Sequence, residues 1–222
     1  MAGAYATGRA TLHCHTNLSD GELSPTELID MAARQGFEVV SITDHDTLEA
    51  YRERVPMNRS LVSGSLIEYA RQQGITLITG AELTSWWRWH PVHILAYGLD
   101  PADEGTRRLC AMTRLARSKR ISLRWWPVQA MTVCQLVLAL GGVPVLAHPR
   151  FYWVNVYRIV RELVEVGGLV GIETEYTYHT HHRRLQCPIW TPERIARAAQ
   201  RYDLVRTGGA DSHGRDLTKY RR

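Results

Sequence analysis

Short apolar runs rich in β-branched residues alternate along the chain with longer amphipathic stretches. The short runs predict strands and the longer stretches predict helices, because side chains alternate in a strand and recur about every 3.6 residues in a helix. Seven strands are predicted: Ala10–His13, Val39–Thr43, Ile75–Thr79, Val92–Tyr97, Val143–Ala147, Leu169–Glu173 and Leu204–Thr207. Since helices separate most of them, the strands are expected to pair in parallel through crossover connections, which predicts a barrel-like α/β fold.

The ends of several helices are also predicted. Ser24, followed by Pro25 and Glu27, has the pattern of an N-cap, a first-turn proline and a capping-box partner, and Gly36 is expected to end that helix. Similar signals predict three more helices: one from near Leu61 to Gly74, one from Thr132 to Gly141 with Gln135 as the capping partner, and one from Thr191-Pro192 to about Tyr202.

The chain of 222 residues contains no linker, repeat or low-complexity segment, so a single domain over residues 1–222 is predicted. Residues 101–131 are its least regular and most basic part. No apolar run reaches the roughly 20 residues that cross a bilayer, and residues 1–8 lack the pattern of a signal peptide. A cytoplasmic protein without a membrane partner is therefore predicted, and the sequence indicates no particular oligomeric state.

The four cysteines show no C-x-x-C spacing, which argues against a disulfide framework and against a thiolate zinc site. The formal net charge of +5 and the isoelectric point near 9.2 favour an anionic substrate. Ten histidines are the one excess in the composition, and their positions carry the functional prediction.

Side chains of the types that bind metals follow the ends of six predicted strands, and His93 lies at the start of the fourth strand. In order along the chain these are His13, His15, Asp20, Asp44, His45, Asp46, Glu82, His93, His148, Glu173, Asp211 and His213. The loops at the carboxyl ends of barrel strands converge on one mouth, so these side chains are expected to meet there. Imidazole and carboxylate without thiolate suit Zn, Mn or Fe.

Spacing strengthens this prediction. His13 and His15 form an H-x-H pair whose imidazoles lie on one face of an extended segment, and Asp211 and His213 repeat that spacing. A single histidine at a strand end is more often a structural polar residue than a ligand. Two such pairs, a T-D-H-D run and an A-H-P segment, each after an apolar strand, together indicate a metal site.

These motifs resemble, in order, those of the PHP (polymerase and histidinol phosphatase) family. The matching segments are L-H-C-H-T at 12–16, S-D-G at 19–21, I-T-D-H-D-T at 42–47, G-A-E at 80–82, H-I-L at 93–95, A-H-P at 147–149, G-I-E at 171–173 and G-A-D-S-H-G at 209–214. The resemblance spans about residues 9–214 and is nearest the branch of nucleotide phosphatases and 5′-to-3′ nucleases. It implies a distorted (β/α)7 barrel.

The resemblance also implies two or three divalent metal ions, Mn, Fe or Zn, at nine ligands. His13, His15, Glu82 and Asp211 would hold one ion, Glu82, His93 and His148 a second, and Asp20, His45 and His213 a third. Two features depart from the family pattern. Thr11 stands where an acidic residue usually precedes the first H-x-H, and the insertion between the His93 and His148 strands is reduced to about residues 101–131.

The activity that follows is hydrolysis of phosphate mono- or diesters of nucleotides by attack of a metal-activated hydroxide. The substrate would be a nucleoside bisphosphate, a 5′-nucleotide or the 5′ end of a short RNA. Glu82, Asp44 and His213 are the predicted catalytic residues, with Asp44 or a histidine as proton donor to the leaving group. Alternatives are a small-metabolite phosphatase of the histidinol-phosphate type and a non-catalytic, metal-stabilised accessory module.

Three residues are predicted to contact substrate: Arg150, which follows His148, His179 in a polar loop, and Trp86. The run Trp86–Trp89 could stack on a nucleobase or form a hydrophobic lid or dimer patch. Seven basic residues lie along one predicted helical stretch: Arg107, Arg108, Arg114, Arg117, Lys119, Arg120 and Arg124. Such a run is usually a solvated face, and a surface that tracks the phosphates of a short RNA is the alternative.

Overall fold

A computed structural model describes residues 9–56, 63–117, 128–176 and 187–218 of the chain. Seven of its strands form one sheet in the order β1 (Ala10–Cys14), β2 (Val39–Ile42), β5 (Thr76–Trp87), β6 (His90–Tyr97), β7 (Val143–Leu146), β8 (Gly171–Tyr176) and β9 (Val205–Gly209). A separate antiparallel pair contains β3 (Arg54–Pro56) and β4 (Ser63–Ser65). A parallel bridge between Cys14 and Ser212 joins the two outer strands of the large sheet. The predicted barrel-like α/β fold is thereby confirmed.

The sixth strand departs from the predicted parallel pairing. β6 is antiparallel to both β5 and β7, whereas the other neighbouring strands of the sheet are parallel. Only Arg88 and Trp89 separate β5 from β6. A parallel connection needs a crossover of roughly a dozen residues or more, so two residues can only close a hairpin. The prediction of parallel strands throughout was therefore wrong at β6.

Six α-helices occur in the described part of the chain: α1 (Pro25–Arg34), α2 (Leu66–Gln72), α3 (Glu104–Arg117), α4 (Ala130–Ala139), α5 (Val156–Glu162) and α6 (Pro192–Arg201). Short 3-10 turns cover Glu49–Tyr51 and Pro149–Phe151, and a π-helical turn, Leu163–Gly167, extends α5. None of the described helices combines the length and apolar character needed to cross a membrane.

The helix caps confirm part of the prediction. The Ser24 hydroxyl and the Glu27 carboxylate form the reciprocal capping box at the start of α1. The capping box predicted at Thr132 was wrong, because α4 already begins at Ala130 and Thr132 lies inside it. The helix predicted from near Leu61 begins later, at a capping box formed by Ser65 and Glu68. The least regular part of the sequence contains α3, which carries four of the seven basic residues of the predicted helical stretch, Arg107, Arg108, Arg114 and Arg117.

A small apolar cluster packs on the face of β6 that also carries His93. His93, Leu95 and Tyr97 lie on the same face of β6, because alternate residues of a strand point the same way. Leu95 and Tyr97 pack there with Leu12, Val145 and Ala147. The Tyr97 hydroxyl also donates a hydrogen bond to the Leu12 carbonyl at 2.8 Å, which ties β6 to β1 across the sheet. The His93 side chain therefore lies next to a close-packed apolar cluster on the same face of β6.

Candidate metal centre

Glu82 is at the centre of a buried group of histidines. Its side chain is 1% exposed, and its two oxygens face different partners. Oε1 lies 2.6 Å from His93 Nδ1 and 2.9 Å from His148 Nε2. Oε2 lies 3.2 Å from both His13 Nε2 and His15 Nε2. A carboxylate placed in this way can join two neighbouring cation sites.

A first group of possible ligands surrounds Glu82 Oε2. His13, His15, Glu82 and Asp211 each offer one atom, and these atoms lie within 4.8 Å of one another. Asp211 Oδ1 is 2.9 Å from His15 Nε2 and 3.3 Å from His13 Nε2. The structure thus brings together the four residues expected to hold one ion.

A second group lies on the other side of the Glu82 carboxylate. His93 Nδ1 is 3.3 Å from His148 Nε2, and both nitrogens approach Oε1. His45 also belongs here, since it forms a group within 4.8 Å with Glu82 and His93. The antiparallel direction of β6 explains the position of His93, because the start of that strand lies where the parallel strands end.

A third group lies nearer the opening. It contains His15, Asp20, His45 and His213, again within 4.8 Å. His213 Nε2 is 3.2 Å from Asp20 Oδ1, and His45 Nε2 is 3.7 Å from Asp20 Oδ2. The Asp20 side chain is 26% exposed, whereas those of His15 and His213 are almost fully buried. Solvent therefore reaches the centre at Asp20 and also at His93, whose side chain is 27% exposed.

Backbone contacts between neighbouring segments bring the ligand side chains together. The segment after β2 passes directly alongside β5, where His45 and Glu82 form a parallel bridge and the Asp46 amide donates to the Glu82 carbonyl at 2.9 Å. The S-D-G turn folds against β1 in a similar way. A Cβ on Gly21 would lie 2.3 Å from the His15 carbonyl oxygen, so only glycine fits at that position.

The two aspartates of the T-D-H-D run accept several short hydrogen bonds from other segments of the protein. Asp44 accepts hydrogen bonds from the Thr16 amide at 2.7 Å, the Thr16 hydroxyl at 2.6 Å and the Ser19 hydroxyl at 2.7 Å. Asp46 accepts from the Thr84 amide and hydroxyl at 2.7 and 2.8 Å. Asp44 therefore holds the loop that carries Asp20. Its role as a proton donor stays a prediction.

Glu173 has a role that the sequence did not indicate. Its Oε1 lies 3.2 Å from His13 Nδ1, and its Oε2 accepts a 2.7 Å hydrogen bond from the His148 amide. A carboxylate behind a ligating imidazole fixes the ring and its tautomer. Thr11, which replaces an acidic residue of the family pattern, contacts Cys14 Sγ instead. The sequence shows Glu173 at the end of an apolar strand, but it does not show that His13 is its partner.

The carboxylates and imidazoles of the centre shift one another's pKa values. Burial lowers the pKa of His15, but Asp211 and Glu82 raise it to about 9, and Glu82 likewise raises the pKa of His93 against the effect of burial, so a proton and a cation compete for these rings. Burial raises the pKa of Glu82, but the facing imidazoles, chiefly His93 and then His45, lower it well below its usual range. Burial lowers the pKa of His45 to about 3, against the opposing effect of Glu82. A histidine must be neutral to bind a metal, so this shift suits a ligand.

The chemistry of the donors fits divalent cations. Both ring nitrogens of His15 are buried, and neither has a hydrogen bond of acceptable geometry within the described residues. Buried polar atoms are normally paired, and a bound cation would satisfy such a nitrogen. The three groups consist of imidazoles and carboxylates without sulfur, which is the ligand set of Zn, Mn and Fe.

The described residues include two of the three predicted substrate contacts, and all three stay predictions. Trp86 lies on the same face of β5 as Glu82, toward the tip of the β5–β6 hairpin, while Trp87 is buried and donates to Glu162 at 2.8 Å. Trp89 is 72% exposed. Arg150 lies in the 3-10 turn directly after His148. Residues 179, 119, 120 and 124, which the predictions also named, lie outside the described residues.

Known proteins share both the sequence motifs and the fold. The family model described as "PHP domain" matches residues 11–122. A 5′-3′ exoribonuclease of Haemophilus influenzae is 34% identical over 114 residues, which is 51% of this chain and 37% of that protein. A 3′,5′-nucleoside bisphosphate phosphatase of Chromobacterium violaceum is 36% identical over 92 residues, 41% of this chain and 28% of that protein. The chain thus spans well under half the length of either relative.

A solved structure from Bifidobacterium adolescentis shares the fold. It superposes with a TM-score of 0.72 at 24% identity, and the match covers 93% of this chain and 88% of that one. The agreement along almost the whole length shows that the barrel-like arrangement is an established fold.

Proposed function

Because the chain belongs to the PHP domain family, we propose that it is a metal-dependent phosphoesterase that hydrolyses phosphate mono- or diesters of nucleotides. The observation that carries this proposal is the buried Glu82 carboxylate, whose two oxygens face separate sets of histidines. A structural metal site is normally closed by four ligands around one ion. A carboxylate shared between two groups is instead the arrangement of catalytic sites with paired metals.

We assign the ligands of the proposed centre as follows. His13, His15, Glu82 and Asp211 would hold one ion, Glu82, His93 and His148 a second, and Asp20, His45 and His213 a third. Two or three ions of Mn, Fe or Zn would be bound. Three divalent ions and three carboxylates would leave a net charge of about +3, which attracts a phosphate ester.

When bound, such ions activate water as a nucleophile and neutralise the charge of a phosphate. The residues of this chain do the positioning. Glu82 keeps two ligand groups in register through its two oxygens. Glu173 fixes the His13 ring, and Asp44 fixes the loop that carries Asp20. Proton donation to the leaving group by Asp44 would require that one of its hydrogen bonds opens.

A nucleotide is the proposed substrate because two relatives with more than 30% identity are named for acting on RNA and on nucleoside bisphosphates. Trp86 supports the same class of substrate, since it lies on the face of β5 that carries Glu82. An aromatic ring near the site can stack on any base.

A substrate panel tests the proposal. The purified chain with manganese would be offered 3′,5′-adenosine bisphosphate, AMP, histidinol phosphate and a 5′-labelled oligoribonucleotide, with the metal content measured beforehand. We expect release of phosphate or shortening of the oligonucleotide, and loss of both in Glu82→Gln. If histidinol phosphate alone is hydrolysed, the substrate is a small phosphorylated metabolite and not a nucleotide. Bound metal without hydrolysis of any substrate would indicate an accessory module.

A further inference from the structure

A cleft beside the metal centre has two arginines in its wall. Its volume is about 420 Å³, within the usual range for a small-molecule site. His45 lines both the cleft and the metal centre, so the two are continuous. Ser19, Thr47, Arg114 and Arg117 line it as well. Both arginines come from the last turn of α3.

Each of these arginines faces the centre. Arg117 Nη2 lies 3.5 Å from Asp20 Oδ2, at the carboxylate assigned to the outermost ion. Arg114 Nη2 donates to the Asp46 carbonyl at 3.1 Å. Within the described residues no carboxylate oxygen lies within 4 Å of the Arg114 guanidinium, so its partner is neutral and its charge is not compensated by an ion pair.

The first turn of the same helix behaves differently. Arg107 and Arg108 both pair with Glu104, the second at 3.1 Å, and these two arginines are 47% and 79% exposed. Ion pairs of that kind on a solvated helix contribute little to stability and leave no charge for a ligand. The helix thus has arginines with local partners at one end and arginines directed at the cleft at the other.

From this difference we propose that Arg114 and Arg117 form a subsite for a second phosphate of the substrate, beside the phosphate that is hydrolysed. The inference rests on the proposed function and specifies its substrate class. The ligand would be a nucleotide with two phosphates, supplied either as a nucleoside bisphosphate or as the next phosphodiester of a short oligonucleotide. Arginine suits this role because its planar guanidinium binds phosphate oxygens in pairs.

The acidic residues that line the cleft each have a partner among the described residues. The Asp46 carboxylate is held by the amide and hydroxyl of Thr84. Glu49 pairs with Arg52 at 3.2 Å. Asp20 is assigned to a cation, and a bound cation would also release Arg117 from its contact with that carboxylate. Two guanidinium groups then remain as the charges that face the cleft.

The test compares substrates with one and two phosphates. The variants are Arg114→Ala, Arg117→Ala, the double variant and the matched control Arg108→Ala, which removes an arginine of the same helix outside the cleft. The measured quantity is the preference for two phosphates, defined as kcat/KM for 3′,5′-adenosine bisphosphate or the dinucleotide pApA divided by kcat/KM for AMP. We expect this preference to fall about 10- to 100-fold in the double variant, because a hydrogen bond to a charged group is worth roughly that factor. Arg108→Ala should keep the wild-type preference.

Two further measurements separate the possible results. Arg114→Lys/Arg117→Lys keeps the charge, so it should restore part of the preference and exclude a folding defect as its cause. Calorimetry on chelator-treated protein should show weaker binding of 3′,5′-adenosine bisphosphate by the double variant than by the wild type. An unchanged preference, or an equal loss on AMP, would overturn the subsite while leaving the phosphoesterase intact. If the wild type hydrolyses nothing, the proposed function fails, and the calorimetric comparison alone decides whether the subsite exists.

Discussion

The inner and outer parts of the metal centre differ in how they are held. The inner part, around Glu82, His13 and Asp211, is nearly inaccessible to solvent, and Glu173 fixes one of its rings from behind. The outer part contains Asp20, which is 26% exposed and sits on a loop fixed by Asp44. Rigid strands therefore position the inner ligands, and a hydrogen-bonded turn positions the outer one. We expect the inner part to determine whether metal binds and the outer part to determine how substrate is received.

Glu82→Gln should have the largest effect. The amide keeps the shape but loses the charge that two groups of histidines share. We expect the phosphoesterase rate to fall on the order of 10³-fold or more and the metal content to drop by more than one ion per chain. Elemental analysis of the purified variant, alongside the rate, is the measurement. Full metal content with unchanged activity would contradict the central position of Glu82.

Asp20→Asn should lower the phosphoesterase rate less than Glu82→Gln does. It should also distinguish the inner part of the metal centre from the outer part. We expect the variant to bind one ion fewer than the wild type and to keep the ions held by the inner groups. The rate should fall about 10²-fold, since the outer ion, which would help to neutralise the phosphate, would be lost. Loss of all metal in this variant would show that the centre cannot be divided into an inner and an outer part.

Glu173→Gln tests support of the inner part without removing a ligand. Such partners of ligating histidines typically change metal affinity about 10- to 100-fold. We expect a loss of that size in a competition titration with a chelator, and recovery of most activity at high metal concentration. Glu175→Gln is the matched control, because Glu175 is 63% exposed and its ion pair within the described residues is with Arg206 on the surface. Equal effects in both variants would contradict the assignment.

Ser24→Ala should have the smallest effect on the centre. It removes the capping box of α1, which is worth about 1 kcal/mol of unfolding free energy. We expect a lower midpoint of thermal unfolding with unchanged metal content and kcat/KM. A change in metal content would show that α1 is coupled to the centre more strongly than its position indicates.

The sequence predicted the ligands better than the way in which they are supported. Strand order, residue type and spacing were enough to place His13, His15 and Glu82 at one mouth, because these are properties of short segments. The direction of β6 was missed because the third strand was predicted to end at Thr79, with Glu82 beyond it, whereas β5 continues to Trp87.

The contacts of Glu173 and Asp44 could not be predicted for a different reason. Glu173 reaches His13 across 160 positions, and Asp44 reaches Thr16 across 28. Such pairings depend on the final side-chain geometry of the packed barrel, and no local pattern encodes them. A carboxylate in a ligand-rich motif can therefore be identified from sequence as part of a site, although its actual partner cannot.

The length of α3 has a consequence for substrate choice. Gly105 in the first turn of this helix lies near Leu140, just before β7 starts, and Arg117 lies beside Asp20. Each helical turn advances about 5.4 Å. Insertion or deletion of a single turn would thus shift the terminal guanidinium groups by roughly the width of a phosphate group relative to the metals. The helix would act as a molecular ruler, setting which spacing between two phosphates the enzyme accepts.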